Sequence, residues 1–452
     1  MILRLKNLAF IFILFISIGN IAALKDLKFK LLKVNDAVLL ALRYHPNVKN
    51  AQLDRVVDRF ALEVAHNAFM PQYRLTGSTS WVKDGATNKD IRAEVFMKSI
   101  YGSRVGVVKN WGDSQNTALE ISQPLLRGFD SDVNLSELEA ARDSEYTGWL
   151  GLQDTLINTI DQALIAYWAV MAAEKGVEVQ KKSLDILKKT LKAYELKVKV
   201  GQMAKASLDQ QRTALLNAEL LYENQLNTLN LSRQNLLMSL GLDPNASISV
   251  EEDFSAMERV KLPTLQQCID FALKYNIAYL KQQYTIRSLY RSLLVAQDSQ
   301  NWKLDATGKI DKDSWNAGVN LDIPINDLPR QQQLLQAKVS YEKGQRDLLR
   351  AKQILLSEVK NQWYNCKSQL EQIKISQQSV KSAYNDYKMA LLKQMSGMTS
   401  TFEVISLQQQ WVDSQLALIN LKVSYLNSLI GLHAKLGTTL HIWGIKLNDF
   451  GE

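Results

Sequence analysis

Proline is scarce in this chain: seven residues in 452, at Pro46, Pro71, Pro124, Pro244, Pro263, Pro324 and Pro329. None lies between Pro124 and Pro244, or after Pro329. Proline removes a backbone donor and clashes with the preceding turn, so uninterrupted helices are expected in those two gaps. Glycine is also low, at 20, and with so few turn formers a string of ordinary compact domains is a poor reading. Only two cysteines are present, Cys268 and Cys366, which excludes a disulfide scaffold. Both fall in helical patterns and read as buried thiols, with a single bridge left open in an oxidising compartment.

Chemistry-bearing patterns are missing too. The histidines are His45, His66, His433 and His441, and none forms a pair at the i, i+4 spacing of a helical metal site. No metal site and no cofactor is expected. There is no nucleophile elbow, phosphate loop or dinucleotide fingerprint, so the chain does not read as an enzyme. The net charge of +8 is spread through the sequence instead of gathered in a tail, which argues against a nucleic-acid partner. Past the first residues no run of about 18 apolar residues occurs. The best candidate, Leu152 to Ala173, is broken by Asp154 and Asp161.

What is present begins with a targeting segment. Arg4 and Lys6 precede an apolar stretch from Leu8 to Ile18, and Asn20-Ile21-Ala22-Ala23 supplies the small residues of a cleavage site. Residues 1–23 therefore read as a secretory signal. No cysteine follows to carry a lipid. The mature chain is then either soluble outside the cytoplasm or held in a membrane by strands.

Leu, Lys, Gln, Ala and Ser dominate the rest. Apolar residues recur at helical spacing from Ser131 to about Val200, as at Leu152, Leu156, Ile160, Leu164, Tyr167 and Met171. They do so again from Leu208 to Leu240, from Arg330 to about Lys393, and from Thr401 to Leu436. These are amphipathic helices whose stripes need partners. The Arg330 segment alone would extend roughly 95 Å as one helix.

Between the helices lie segments with period-2 alternation: Gln72 to Trp81, Thr117 to Pro124, Trp302 to Ile310 and Trp315 to Ile323. Runs of about nine alternating residues suit strands that cross a membrane at a tilt. Trp81, Trp111, Trp302 and Trp315 fall at or near strand ends, where aromatic girdles meet the two membrane interfaces.

The chain is a tandem repeat. Ala41-Leu42-Arg43-Tyr44 is echoed by Ala272-Leu273-Lys274-Tyr275. Thr264 with Gln267 makes a helix-starting capping box. Pro124 corresponds to Pro324, Gly201 to Gly397 and Leu240-Gly241 to Leu436-Gly437; Gly241 follows Gly201 by 40 positions, and Gly437 follows Gly397 by 40. The offset is 231 residues at Ala41/Ala272 but 200 at Pro124/Pro324. The first half thus carries 31 extra residues between its strands, and the stretch from Lys83 to Asn110 reads as a long extracellular loop. The organisation expected is residues 24–243 as the first repeat, 244–263 as a connector, 264–440 as the second repeat and 441–452 as a tail. Two strands per repeat give four per chain. Four strands cannot close a barrel, and an open edge cannot face lipid. Sharing the barrel among three copies would give twelve strands.

The order of these features resembles the TolC family of outer-membrane efflux proteins over nearly the whole mature chain, from about Val34 to Leu440. The matching segments are Ala37 to Asn47, ending Tyr44-His45-Pro46-Asn47; Phe69-Met70-Pro71; Leu119 to Leu125; Trp315 to Ile325; and the two helix breaks. The resemblance implies a homotrimer with a twelve-stranded β-barrel in outer-membrane lipid and a barrel of long antiparallel coiled helices in the periplasm. It implies docking at the helix turns, around Gly201, Gln202, Gly397 and Met398, onto a periplasmic adaptor (a membrane fusion protein). That adaptor would couple it to an inner-membrane RND, ABC or MFS pump, for drug efflux or type I protein secretion. In the family an acidic residue follows the tip glycine by six positions. Glu403 fits after Gly397 and is the candidate periplasmic gate, whereas the first tip has Ser207 there. A soluble periplasmic coiled-coil scaffold or adaptor is the competing reading; it would not need alternating strands ending in tryptophan.

Overall fold

The computed structural model describes residues 31–81, 87–111, 115–251 and 262–445. The signal segment lies outside them, as do parts of the expected loop, connector and tail. The described helices are α1 (Val34–Tyr44), α2 (Pro46–Asn67), α3 (Ser131–Asn134), α4 (Ser136–Lys199), α5 (Lys205–Ser239), α6 (Leu265–Tyr275), α7 (Ile277–Asp298), α8 (Leu328–Met395), α9 (Thr401–Leu436) and α10 (Thr439–Ile442). The strands are β1 (Gln72–Trp81), β2 (Thr87–Lys98), β3 (Arg104–Trp111), β4 (Asn116–Pro124), β5 (Lys303–Asp311) and β6 (Trp315–Asp322).

The long helices fall where expected: α4, of 64 residues, lies in the first proline-free gap, and α8, of 68, has Pro329 in its first turn, where proline is tolerated, and is proline-free beyond it. At 1.5 Å per residue each runs about 100 Å. The α6 start is the expected capping box. The Gln267 N–H donates to Thr264 Oγ1 at 3.4 Å, and Gln267 Oε1 accepts from the Thr264 N–H at 3.1 Å. The two repeats end corresponding helices in the same way. Gln202 N–H returns to Lys197 O at 2.8 Å and Met398 N–H to Lys393 O at 2.9 Å. Leu242 N–H returns to Leu237 O at 2.9 Å and Thr438 N–H to His433 O at 3.0 Å. Each is a Schellman closure, which needs a left-handed residue. At the tips Gly201 (φ +77°) and Gly397 (φ +74°) supply it.

The chain forms two compact units that cut across the repeats. Among the described residues the first comprises 31–49, 156–251, 262–268 and 359–445, the second 50–81, 87–111, 115–155 and 269–358. In the first unit the apolar stripe of α4 is fully used: Leu156, Ile160, Leu164, Tyr167 and Met171 are buried. The most apolar window of α4 has mean hydropathy 1.3 but is 61% buried within the chain, so its stripe serves the core. The Tyr167 hydroxyl donates to Leu32 O at 3.1 Å and Glu251 O at 3.0 Å, pinning a parallel bridge between Leu32 and Val250. The thiols of Cys268 and Cys366 are free and buried.

The second unit holds the sheet, and here one expectation is corrected. The sheet has six strands, in the order β1-β2-β3-β4-β5-β6, all antiparallel to their neighbours. The segment expected to be a loop contains β2 and β3, a full hairpin in the sheet. The physical reason lies in Ile91 to Lys98, where Ile91, Ala93, Val95 and Met97 alternate with Arg92, Glu94, Phe96 and Lys98. That is a strand pattern, set among glycine-, asparagine- and lysine-rich flanks that read as loop. The other strands keep their expected places; β5 ends one residue beyond its expected end and β6 one residue short of its own.

Asp161 and His433 line one cavity of about 760 Å³ in the first unit. Burial pushes the Asp161 carboxyl up to about 7, and its Oδ1 has no hydrogen-bond partner. Burial also lowers His433 to about 4. A carboxyl raised on folding binds its proton more tightly when folded, so its contribution to stability falls as pH rises from about 4 to 7. A histidine lowered on folding acts oppositely, and stability rises with pH from about 4 to 6.5. The two slopes oppose over most of that window. Asp161→Asn removes the first and should raise the thermal unfolding midpoint above pH 7 by the equivalent of a few kcal/mol, with little change near pH 4. Unfolding followed by circular dichroism in detergent at pH 4.5 and 8 is the check; an equal shift at both pH values would rule out burial of the charge as the cause.

Candidate conduit wall and helix tips

The register of the sheet sorts its side chains into two faces. One face carries Tyr73, Leu75 and Trp81 of β1, Ile91, Val95 and Met97 of β2, and Val105, Val107 and Trp111 of β3. It continues with Leu119 and Ile121 of β4, Leu304 and Ile310 of β5, and Trp315, Val319 and Leu321 of β6. Nearly all are exposed in the single chain, Tyr73 at 79% and Val319 at 68%. A contiguous apolar face of this size has no place in water.

The other face is polar and is stitched across strands by ion pairs. Arg74 meets Glu94 at 3.2 Å, Arg92 meets Glu94 at 3.3 Å and Glu120 at 3.9 Å, and Lys309 meets Glu120 at 3.3 Å. These link β1, β2, β4 and β5. Arg104 lies over the Phe96 ring at 3.9 Å. Arg92, Glu94, Phe96, Arg104, Glu120 and Lys309 line a groove of about 350 Å³. Apolar outside and charged inside, with 8 to 12 residues per strand, is the pattern of a transmembrane barrel wall.

The four tryptophans singled out in the sequence fall at the rims of this wall. Trp81 closes β1, Trp111 closes β3 and Trp315 opens β6, all at the rim that carries the turns after β1, β3 and β5. They share the apolar face. Trp302 stands just before β5, at the opposite rim, where its carbonyl accepts from the Arg127 N–H at 3.2 Å.

The helix tips carry the other candidate residues. Gly201-Gln202 joins α4 to α5 and Gly397-Met398 joins α8 to α9. The two tips are capped differently. At the second, Ser400 is the N-cap and its side chain accepts from the Glu403 N–H at 3.1 Å, while the Thr399 hydroxyl donates to the Glu403 carboxylate. At the first, Ala204 is the N-cap and offers no side-chain bond. The structure thus places Glu403 as an exposed carboxylate in the first turn of α9. The sequence reading named Met398 but missed the other exposed apolar residues flanking the tips, Leu196 and Val200 at the first and Met395 and Phe402 at the second. Their clustering near two glycines was the available signal.

The outer membrane efflux protein family model matches residues 38–242 and 292–438. The chain belongs to that family, and it is an outer-membrane efflux channel protein. The paired match is the tandem repeat. No curated protein matches the chain by sequence. Solved structures with the same fold include CusC, described with transmembrane channel formation, at TM-score 0.71 and 17% identity over 89% of this chain and 92% of that one. The Campylobacter jejuni CmeC outer membrane channel matches at 0.67 and 16%, over 89% and 85%. The outer membrane protein VceC of Vibrio cholerae matches at 0.70 and 15%, over 89% and 96%.

A charge placed on the two faces of one strand separates them. Ala306→Arg on the apolar face of β5 should destabilise the membrane-inserted protein by about 2–4 kcal/mol, whereas Thr307→Arg next to it should cost well under 1. Urea titrations of protein folded into phosphatidylcholine vesicles measure both. Equal losses would mean that the register has been assigned to the wrong faces.

Proposed function

We propose that three copies of this chain close into one barrel and form the outer-membrane conduit of a tripartite export system. The observation that carries this is the open sheet: among the described residues β1 and β6 are edge strands with no further partner, and their apolar face is made for lipid. An unpaired edge in hydrocarbon leaves backbone donors and acceptors unsatisfied at several kcal/mol each. Pairing β6 of one copy with β1 of the next removes every edge. The leftover stripes of the long helices would be covered in the same assembly, as a periplasmic helical barrel.

In this reading the chain is a passive conduit. Trp81, Trp111, Trp315 and Trp302 form the two interface girdles. The tips at Gly201, Gln202, Gly397 and Met398 dock a periplasmic adaptor that couples to an RND, ABC or MFS pump. The exposed apolar residues beside those tips support a docking surface there. Residues 1–23 act as a signal peptide for export, and residues 244–263 connect the repeats. The soluble scaffold reading has nothing to cover the apolar sheet face.

Crosslinking in mild detergent should trap a species of three chains, and a stable single-chain form with full helix content would end the proposal. Threefold symmetry would place three Glu403 carboxylates around one opening, where their field favours cations. Glu403→Gln should lower cation selectivity and block by multivalent cations in planar bilayers; unchanged selectivity removes Glu403 from the gate without touching the conduit.

A further inference from the structure

We infer that the β2–β3 hairpin is part of the barrel wall, so that the closed channel has eighteen strands and a lumen wide enough for bulky hydrophilic cargo. The figure rests on the trimer proposed above, with six strands from each copy instead of four.

Three independent features hold the hairpin in the wall. The first is register. β1 pairs with β2 from Gln72↔Phe96 to Trp81↔Thr87, β2 with β3 from Ile91↔Trp111 to Lys98↔Arg104, and β3 with β4 from Arg104↔Ser122 to Asn110↔Asn116. Without the hairpin, β1 and β4 would each lose their only partner on that side. The second is the faces. Ile91, Val95, Met97, Val105, Val107 and Trp111 continue the apolar face of the other four strands without a change of phase. A hairpin folded into the lumen or lying in water would have no use for that alternation. On the opposite face, Arg92 and Glu94 carry the ion-pair chain from β1 to β4.

The third is the turn from β2 to β3, which is tied to the far end of β4. Ser99 Oγ donates to Ser103 Oγ at 3.0 Å, the Ser103 hydroxyl donates to Gln123 Oε1, and Gln123 Nε2 donates to Tyr101 O at 3.2 Å. Gly102 (φ +76°) sits so close that a Cβ there would lie 2.3 Å from Gly128 O and 2.7 Å from the Pro124 ring. The turn fits the wall's rim only as glycine.

Removing or adding a hairpin preserves the up-down alternation, so the even strand count that barrels require is kept either way. Diameter grows roughly linearly with strand number, which makes an eighteen-stranded barrel about 1.5 times as wide as a twelve-stranded one. Barrels of 16–18 strands leave a water-filled channel, whereas side chains largely fill the smallest ones. The hairpin lines the added wall with Arg92, Glu94, Lys98 and Arg104, which favours hydrated, polar cargo over lipophilic molecules.

The test places single cysteines on the two faces of the hairpin in the full-length protein, reconstituted in phosphatidylethanolamine–phosphatidylglycerol vesicles. The native thiols are buried, and burial pushes Cys366 up to about 11, so background labelling is low. Glu94→Cys, Arg104→Cys and Asn110→Cys should react with a charged, membrane-impermeant thiol reagent at least about tenfold faster than Val95→Cys and Val107→Cys. A bilayer-soluble maleimide should reverse the order. Aqueous labelling of both faces alike would take the hairpin out of the wall and overturn the inference, while the three-chain crosslink, read separately, would leave the trimer standing. Alternating labelling with a copy number other than three would overturn the trimer and the figure eighteen together. A second readout is neutral-polymer exclusion from the strand-side mouth. Deleting residues 86–113, which leaves β1 free to pair with β4, should lower the size limit; an unchanged limit in a protein that still inserts as three chains would also overturn the inference.

Discussion

Everything in this molecule follows from a sheet that cannot finish itself. Six antiparallel strands satisfy each other's backbones on the inside of the sheet and, among the described residues, leave two edges bare. In water an edge of this kind is a liability that charges or bulges can blunt. In hydrocarbon it is not tolerated, because nothing else offers a hydrogen bond. The apolar face suits the sheet to lipid, and in the assembly proposed above the edges are what further copies satisfy. In that proposal oligomerisation is a consequence of backbone hydrogen bonding, and side-chain contacts between copies would only select how it is achieved.

The inner face solves a different problem. Charges facing a lumen remain hydrated, so each exposed pair there contributes little to stability, about 0–1 kcal/mol. What Arg74, Glu94, Arg92, Glu120 and Lys309 provide is registration across β1 to β5. A one-residue slip would turn every one of them toward lipid and every outer residue toward water. The sorting of faces therefore fixes register far more strongly than the ion pairs themselves do. The helices show the same division of labour. Their apolar stripes, as at Leu156, Ile160 and Leu164, provide burial, and four glycine closures set where each helix must end.

Most of the helical architecture was legible in the sequence because its signals are redundant. Proline gaps, apolar spacing and the paired glycines all marked the same boundaries, and α9 runs over the very residues expected, Thr401–Leu436. The capping box at Thr264 carried its own chemistry. The strands were legible where tryptophan and alternation coincided, as in β1 and β6. The β2–β3 hairpin was not, because the repeat arithmetic found extra residues and composition then assigned them to a loop. Ile91, Ala93, Val95 and Met97 form an apolar row only when read against their charged neighbours, and a strand's period-2 signal is weak per segment. The contrast in capping between Ala204 and Ser400 was visible as residue types, and the apolar residues near the tips were visible as neighbours of two glycines, but their exposure needed the helices' actual faces.

The unequal tips bear on how a repeat protein can become asymmetric without losing its fold. Gly201 and Gly397 close the helices before them in the same way. Only the second helix start is capped by a side chain, and a serine cap is typically worth about 1 kcal/mol over alanine. The α5 start is therefore the easier of the two to fray, on purely local grounds. Lys197 and Lys199 stand in the last turn of α4 and favour the carbonyl end of that helix, which does nothing for the uncapped amides of α5. If one tip must rearrange when a partner docks, the chain's own chemistry makes it the one at Gly201.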